Sequence, residues 1–325
     1  AERIGAAYDL ADGGGSAVEA ALIMDRGAMT IAPGEARRRA DMLVFVGPMS
    51  QDRAAFIDDL ATSMPDLSGS EARKLFAIGA QSKRGLPEDT VPVGSSRTGL
   101  SETLAAIRAS LAGKSIVGKF ANLDMLVAAL AAAIFPVFIY SGEAGLPSLE
   151  MLQGLVADLN KNRRASTLHL PSSENGWSSV LASTWMTGFA PRTSFARGFP
   201  DFDPWRFDVQ RMIAAGEADL VLSVGDAGRR NTPTPNPSPL WGGVRGRGKS
   251  SQVVTHVAVT DTSKSIPNAA ITISVGAPGI DHDAVRYSAR LGTIAALSAS
   301  APSDLPSAAT ILRMLHERLL TKAGA

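Results

Sequence analysis

Short continuous apolar runs alternate along this chain with longer segments whose apolar positions recur every three or four residues. The run "ADMLVFVG" (Ala40 to Gly47) ends in Gly, the form of a parallel strand buried on both faces. "KLFAIGA", "FPVFIYSG", "ADLVLSVGDAG" and "VVTHVAVTDT" repeat that form. Between them, "TGLSETLAAIRASLAGK" and "LPSLEMLQGLVADLNKN" carry helical spacing, each with Ser or Thr placed to cap. This rhythm predicts an α/β fold of open, mostly parallel sheets flanked by helices, built from Rossmann-like units. Two units are expected, residues 1–115 and 116–325, with "AATILRMLHERLLTKAG" as a final helical cover.

The most apolar stretch, Met125 to Gly142, is broken by Pro136 and reads as an Ala-rich helix entering a strand, not as a membrane span. The opening "AERIGAAYDLADGGGS" lacks the apolar segment of a secretory leader, so the expectation is a soluble cytoplasmic protein. One segment breaks the rhythm. Residues Asn231 to Ser251, rich in Pro and then in Gly and Arg, cannot bury a core and are expected to form an inserted surface loop. Its basic tail "RGRGK" also suits a polyanion, but a tolerated insertion is the simpler reading.

Composition narrows the chemistry. The chain has no Cys, which excludes disulfides, thiolate nucleophiles and any iron–sulfur cluster held by its own cysteines. With 32 basic against 31 acidic residues, no global field favours nucleic acid. The four His (His169, His256, His282, His316) are widely spaced and form no ligand pattern.

Candidate sites are few. "DGGGS" (Asp12 to Ser16) invites a phosphate-loop reading but has neither the Lys-Ser/Thr partner nor the spacing, and a plain turn fits better. "VGDAG" (Val224 to Gly228) closes a strand at the sheet edge where α/β proteins bind ligands, or is simply a strand-to-helix turn. Asp281, His282 and Asp283 sit together, yet in an extended loop at most the two carboxylates converge, and a solvated turn is favoured. The stretch Trp185 to Trp205 reads as an irregular loop in which Arg192 and Arg197 can clamp an anion and Asp201 or Asp203 can hold a metal or a proton. It contains no His to serve as a base.

Read in order, several blocks carry a resemblance. "ERIGAAYDLA", "GEARRRADMLVFVGPM", the stretch from Thr184 to Gly228 and "THVAVTDTSKSIPNAAITISVGAPGIDHDAVRYSARLG" resemble the beta subunit of formylmethanofuran dehydrogenases, in the molybdopterin/tungstopterin oxidoreductase family. The same type of chain occurs in bacterial formyltransferase/hydrolase complexes. The strongest piece is "TW.TG....SFARGFP", and the likeness extends over most of the chain apart from the Pro/Gly insertion. The departures matter more. Where the redox enzymes place a Cys-His pair beside the metal, this chain has Gly15 and Ser16, and where they read Arg-Gly-His it has "LPSSENGW" (Leu170 to Trp177). Neither Gly nor Ser can replace a thiolate.

The resemblance therefore implies a degenerate, non-catalytic subunit without the cluster-binding domain, in a complex that converts formyl-tetrahydromethanopterin to formate via methylofuran in one-carbon metabolism. It implies no catalytic, cofactor-binding or metal residues in this chain. The implied partners are an amidohydrolase-like alpha subunit, a gamma subunit and a formyltransferase delta subunit; methylofuran and a metal centre belong to those partners. Two alternatives stay open: an active pterin- or nucleotide-binding oxidoreductase subunit, and a binding role in which Arg192 and Arg197 hold the polyglutamate side chain of methylofuran. In the structural reading, Trp185, Phe189, Phe195, Phe199, Phe202 and Trp205 are expected to fill a collapsed pocket or face the alpha subunit. Arg197 is expected to bind loop carbonyls or a carboxylate, and Asp203 to cap the helix beginning "PWRFDVQRMIAAG".

Overall fold

The computed structural model describes residues 1–10, 15–69, 72–79, 85–94, 99–116, 120–171, 173–225, 254–261 and 269–323. The chain begins with β1 (Ala7–Tyr8), α1 (Gly15–Arg26), α2 (Pro33–Arg39), β2 (Met42–Val46), α3 (Ala54–Thr62), β3 (Lys74–Ile78) and β4 (Val91–Val93). It continues through α4 (Leu100–Leu111), α5 (Leu123–Ala132), β5 (Pro136–Tyr140), α6 (Leu146–Asn160), β6 (Ser166–His169) and α7 (Glu174–Thr187). The remainder is β7 (Thr193–Ser194), β8 (Asp201–Phe202), α8 (Val209–Ala214), β9 (Leu220–Val224), β10 (Thr255–Thr260) and β11 (Ile271–Ser274), then β12 (Ala284–Ser288), β13 (Thr293–Leu297) and α9 (Ala308–Ala323).

Two compact units result, Val18–Trp177 with Tyr287–Ile294, and Ala1–Ala17 with Ser178–Arg286 and Ala295–Ala325. This division differs from a boundary near residue 115. Strand β2 is buried at every position, so it needs a neighbour on each edge; β3 pairs on one and β5 on the other. The register from Met42 opposite Pro136 to Val46 opposite Tyr140 carries the sheet straight across the expected boundary.

The first of these units holds a five-stranded parallel sheet in the order β4-β3-β2-β5-β6. Side chains alternate across it with the strand period of two. Met42, Val44, Val46, Phe138 and Tyr140 pack with Leu104, Ile107, Leu126, Leu130 and Leu152 from α4, α5 and α6. Leu43, Phe45, Val137 and Ile139 pack on the opposite side with Ala36 of α2 and Ile57 and Leu60 of α3. The passage from α5 into β5 is fixed by Asp41, whose carboxylate accepts the N–H groups of Ile134 and Phe135, both at 2.8 Å. The apolar run interrupted by Pro136 is thus a helix and a strand.

The second unit contains a small antiparallel sheet, β1-β7-β8, and a parallel sheet, β11-β10-β9. Here β9 departs from its expected burial on both faces. Leu220, Leu222 and Val224 share one face of the strand and are exposed, while Ala258 and Val259 of the central β10 are buried. Helix α9, expected as the final cover, leaves its own leucines in solvent. The expected insertion at 231–251 lies outside the described residues. Among the described residues, no helix is long and apolar enough to cross a membrane.

Candidate functional site

The order of the five-stranded sheet puts the reversal of winding between β2 and β5, and α/β proteins bind ligands at the carboxyl ends of the strands there. Among the described residues, Leu100 packs close against the ends of β2 and β3 at this edge. Gly47 follows β2 at φ 77° and Gly79 follows β3 at φ 68°, conformations that favour Gly. A Cβ on Gly79 would lie 2.8 Å from Leu100 Cδ1, and one on Gly47 would lie 3.2 Å from Leu100 Cδ2 and 3.3 Å from Ala144 Cβ. These glycines admit Leu100, the first residue of α4. The Ser141 hydroxyl donates to the Pro48 carbonyl at 3.2 Å, tying the loop after β5 to the loop after β2.

Beside this edge lies a buried polar cluster. Tyr140 ends β5, His169 ends β6, Glu19 projects from α1 and Trp177 stands on α7. Glu19 Oε2 is 3.0 Å from His169 Nε2, with the side chains 1% and 8% exposed. The imidazole is stacked at 5.2 Å on Tyr140 and meets Trp177 edge-on at 4.3 Å. Burial, and then the charges of Glu19 and Tyr287, push the Tyr140 phenol above its ordinary range, against a hydrogen bond from Gln153. Glu19 Oε1 has no hydrogen-bond partner among the described residues. Gly15 and Ser16 open α1, with Ser16 buried, so this part of the expected Gly-rich turn is helical; residues 11–14 lie outside the described residues. Sequence reading missed the Glu19–His169 pair. Its only local sign is one acid in the apolar segment "SAVEAALI".

The aromatic stretch differs from its expectation in two ways. Trp185 and Met186 belong to α7, which runs to Thr187, and they are 87% and 83% exposed. Helix α7 buries Val180 and Ser183, and Trp185, two positions beyond Ser183, turns away from that face. Trp205 and Phe199 are also exposed, whereas Phe189 stacks on Phe202 at 5.8 Å and Phe195 on Tyr8 at 6.3 Å. A collapsed pocket filled by all six aromatics is not what forms.

Arg192 is engaged by its own unit. It pairs with Asp9 at 3.3 Å and Asp208 at 2.5 Å, and donates to the Pro204 carbonyl at 2.6 Å. Arg197 is largely in solvent and pairs with Asp201 at 3.6 Å. Asp203 accepts the N–H groups of Trp205 at 2.9 Å and Arg206 at 2.8 Å, so it closes a turn; the following helix α8 starts later and is capped by Asp208, which accepts from Arg211 N–H.

Asp281, His282 and Asp283 are held in turn contacts. Asp281 accepts the Ala277 N–H at 2.7 Å, Asp283 accepts the Ala299 N–H at 2.8 Å, and the His282 ring nitrogens lie 2.9 Å from the Asp283 carbonyl and 3.1 Å from that of Gly276. Among the described residues, no group of three or more His, Asp or Glu is placed to hold a metal ion. Val224 ends β9 and Gly225 follows it, and residues 226–228 lie outside the described residues.

No protein-family model matches the chain. It is 33% identical over 329 residues to the beta subunit of the formyltransferase/hydrolase complex Fhc of Methylorubrum extorquens, covering 99% of this chain and 86% of that protein. It is also similar to a chain in the X-ray structure of the formyltransferase/hydrolase complex FhcABCD of Methylorubrum extorquens with methylofuran. There the TM-score is 0.82 at 31% identity, over 100% of this chain and 87% of that one. Likeness of sequence and of fold along the whole chain agrees with the resemblance read from its motifs: the protein belongs to the family of formyltransferase/hydrolase complex beta subunits.

Proposed function

We propose that this chain is a structural, non-catalytic subunit of a formyltransferase/hydrolase complex that converts formyl-tetrahydromethanopterin to formate through methylofuran. The observation that carries the reading is the packing at the carboxyl edge of the parallel sheet. Leu100 occupies the space beside Gly47 and Gly79, and Ser141 bonds across to Pro48, where a ligand of an α/β enzyme would otherwise approach. The absence of Cys adds to it, because the redox members of the wider family use a thiolate that this chain cannot supply.

On this reading catalysis lies in an amidohydrolase-like alpha subunit with a metal centre and a formyltransferase delta subunit, and this chain holds them together with a gamma subunit in the cytoplasm. Methylofuran is bound by the partners. Elemental and pterin analysis of the purified chain is the direct test. The expected result is neither molybdenum, tungsten nor pterin; stoichiometric amounts of any of them would favour the oxidoreductase alternative.

Trp185 and Met186 offer a second test. Adjacent, almost fully exposed apolar side chains of this size are characteristic of protein contact. Trp185→Ala is expected to change the stability of the isolated chain by less than about 0.5 kcal/mol. It is expected to weaken association with the other subunits by at least about tenfold. Denaturation curves and co-purification from a co-expressing host measure the two effects separately.

A further inference from the structure

At the amino-terminal edge of the parallel sheet, basic and apolar side chains stand together in solvent. Arg39 ends α2 just before β2, Ile134 and Phe135 lead into β5, and Arg164 lies just before β6. The strands are parallel and ordered β2-β5-β6, so these residues form a row across three neighbouring strand starts. Two guanidinium groups converge there on one carboxylate. Glu35 Oε1 is 3.6 Å from Arg39 Nε and 3.9 Å from Arg164 Nη2, charge contacts too long to be hydrogen bonds. Neither guanidinium makes a hydrogen bond among the described residues, so the donors of both forks remain available. The two side chains are 44% and 67% exposed. Arg164 is held over the buried Phe135 ring, 5.1 Å from its centroid.

The fold itself does not call for this arrangement. Arg37 and Arg38 are matched one to one, with Asp59 and Asp66, and arginines in the last turn of α2 answer the helix dipole. Arg164 comes from a different element and brings a second cation to a carboxylate already paired. The same link between α6 and β6 repeats the excess at Asp158, which takes both Lys161 and Arg108. Positive charge therefore collects at this edge although the whole chain is nearly neutral. The apolar neighbours select the kind of partner. Ile134 and Leu67 are exposed. The Ile134 N–H donates to Asp41 and the Leu67 N–H to the Arg38 carbonyl, both at 2.8 Å, which places the two beside the end of α2. Arginine next to exposed aliphatic side chains suits a protein contact. Single-stranded nucleic acid stacks on open aromatic rings, and Phe135 lies buried under Arg164. A second copy of this chain would oppose the same positive edge.

We propose that this amino-terminal edge is a docking surface for an acidic segment of another chain in the complex. A carboxylate of that segment is received by Arg39 and Arg164, and its apolar flank rests on Ile134 and Leu67. The proposal rests on the reading of this protein as a structural subunit. Arginine forks match carboxylates geometrically, and Glu35 is itself a carboxylate seated between the two.

The test uses the full chain co-expressed with the other subunits. Arg39→Glu/Arg164→Glu is expected to weaken capture by those subunits at least about tenfold, with the difference shrinking as salt is raised. Its melting temperature is expected to match the wild type, because exposed ion pairs contribute little to stability. Arg39→Lys/Arg164→Lys keeps the charge and loses the forks, and is expected to weaken capture about threefold. Glu35→Gln removes the chain's own carboxylate and is expected to tighten capture about threefold. Wild-type-like capture of the charge-reversed variant, or weaker capture of Glu35→Gln, would overturn the proposal while leaving the structural role intact. So would loss of capture on nuclease digestion, which would assign the edge to nucleic acid. Failure of the wild-type chain to associate with the other subunits would overturn both readings.

Discussion

Arg192→Ala is expected to destabilise the protein by about 3–5 kcal/mol, the loss typical of removing one partner from a buried ion pair. Arg192 and Asp9 are both nearly buried, and the guanidinium reaches Asp9, Asp208 and the Pro204 carbonyl. It therefore joins the segment after β1, the entry to β7 and the cap of α8. Its backbone sits at φ 75°, uncommon for a residue with a Cβ, so the surrounding contacts hold it against a local preference. Arg192→Lys is expected to recover only part of the loss, because one ammonium cannot span the three acceptors. Urea denaturation of the three proteins gives the comparison. An Arg192→Ala loss below about 1 kcal/mol would place this residue among ordinary surface arginines.

Asp9 gives that network a pH signature. Burial raises its carboxyl above the usual range, and Arg192 and the Leu10 and Val209 N–H groups lower it without cancelling the rise. A raised folded-state value contributes stability that is complete below the unfolded value, about 3.9, and is lost as pH rises through the folded value. Relative to Asp9→Asn, the wild type is expected to gain stability on acidification through that window. A relative gain towards alkaline pH would contradict this assignment.

The second large effect concerns Glu19 and His169. His169→Leu is expected to cost about 3 kcal/mol, because it leaves both oxygens of a buried carboxyl without a partner among the described residues. Glu19→Leu/His169→Leu is expected to cost less than the sum of the single substitutions, since it removes both polar groups together. A double-mutant cycle in guanidinium chloride measures the coupling. Strict additivity would show that the 3.0 Å contact contributes nothing specific to the fold.

The strands legible in the sequence were those with continuous apolar runs, β2, β3, β5, β9 and β10, because burial on a parallel sheet writes itself into composition. Strand β6 carried no such run. Its segment "STLH" buries Ser166 and Thr167, and the Thr167 hydroxyl donates to the Met29 carbonyl at 3.1 Å, a bond to residues far along the chain. Strand β4, "VPV", is short and holds a Pro. Composition also could not tell the fully buried β5 from β9, whose outward residues stand in solvent. The Glu19–His169 pair was illegible for a related reason: 150 positions separate its members, and neither lies in a motif. Arg192 was recognised as an anion-binding residue, but its anions proved to be Asp9 and Asp208 of the same unit. The family was readable because its motif around Trp185 to Pro200 is specific even where the fold around it is not.

The strand Ala7–Tyr8 pairs with Thr193–Ser194, and the Tyr8 hydroxyl lies 2.7 Å from Ser183 Oγ. On the ribosome the first strand therefore leaves the exit tunnel long before its partner has been made. The intervening residues Val18–Trp177 can meanwhile lay down all five strands of the parallel sheet. Residues Ala7–Tyr8 thus complete their sheet with residues made much later, and holding that segment out of reach during synthesis would delay the closing of that unit while leaving the parallel sheet free to form.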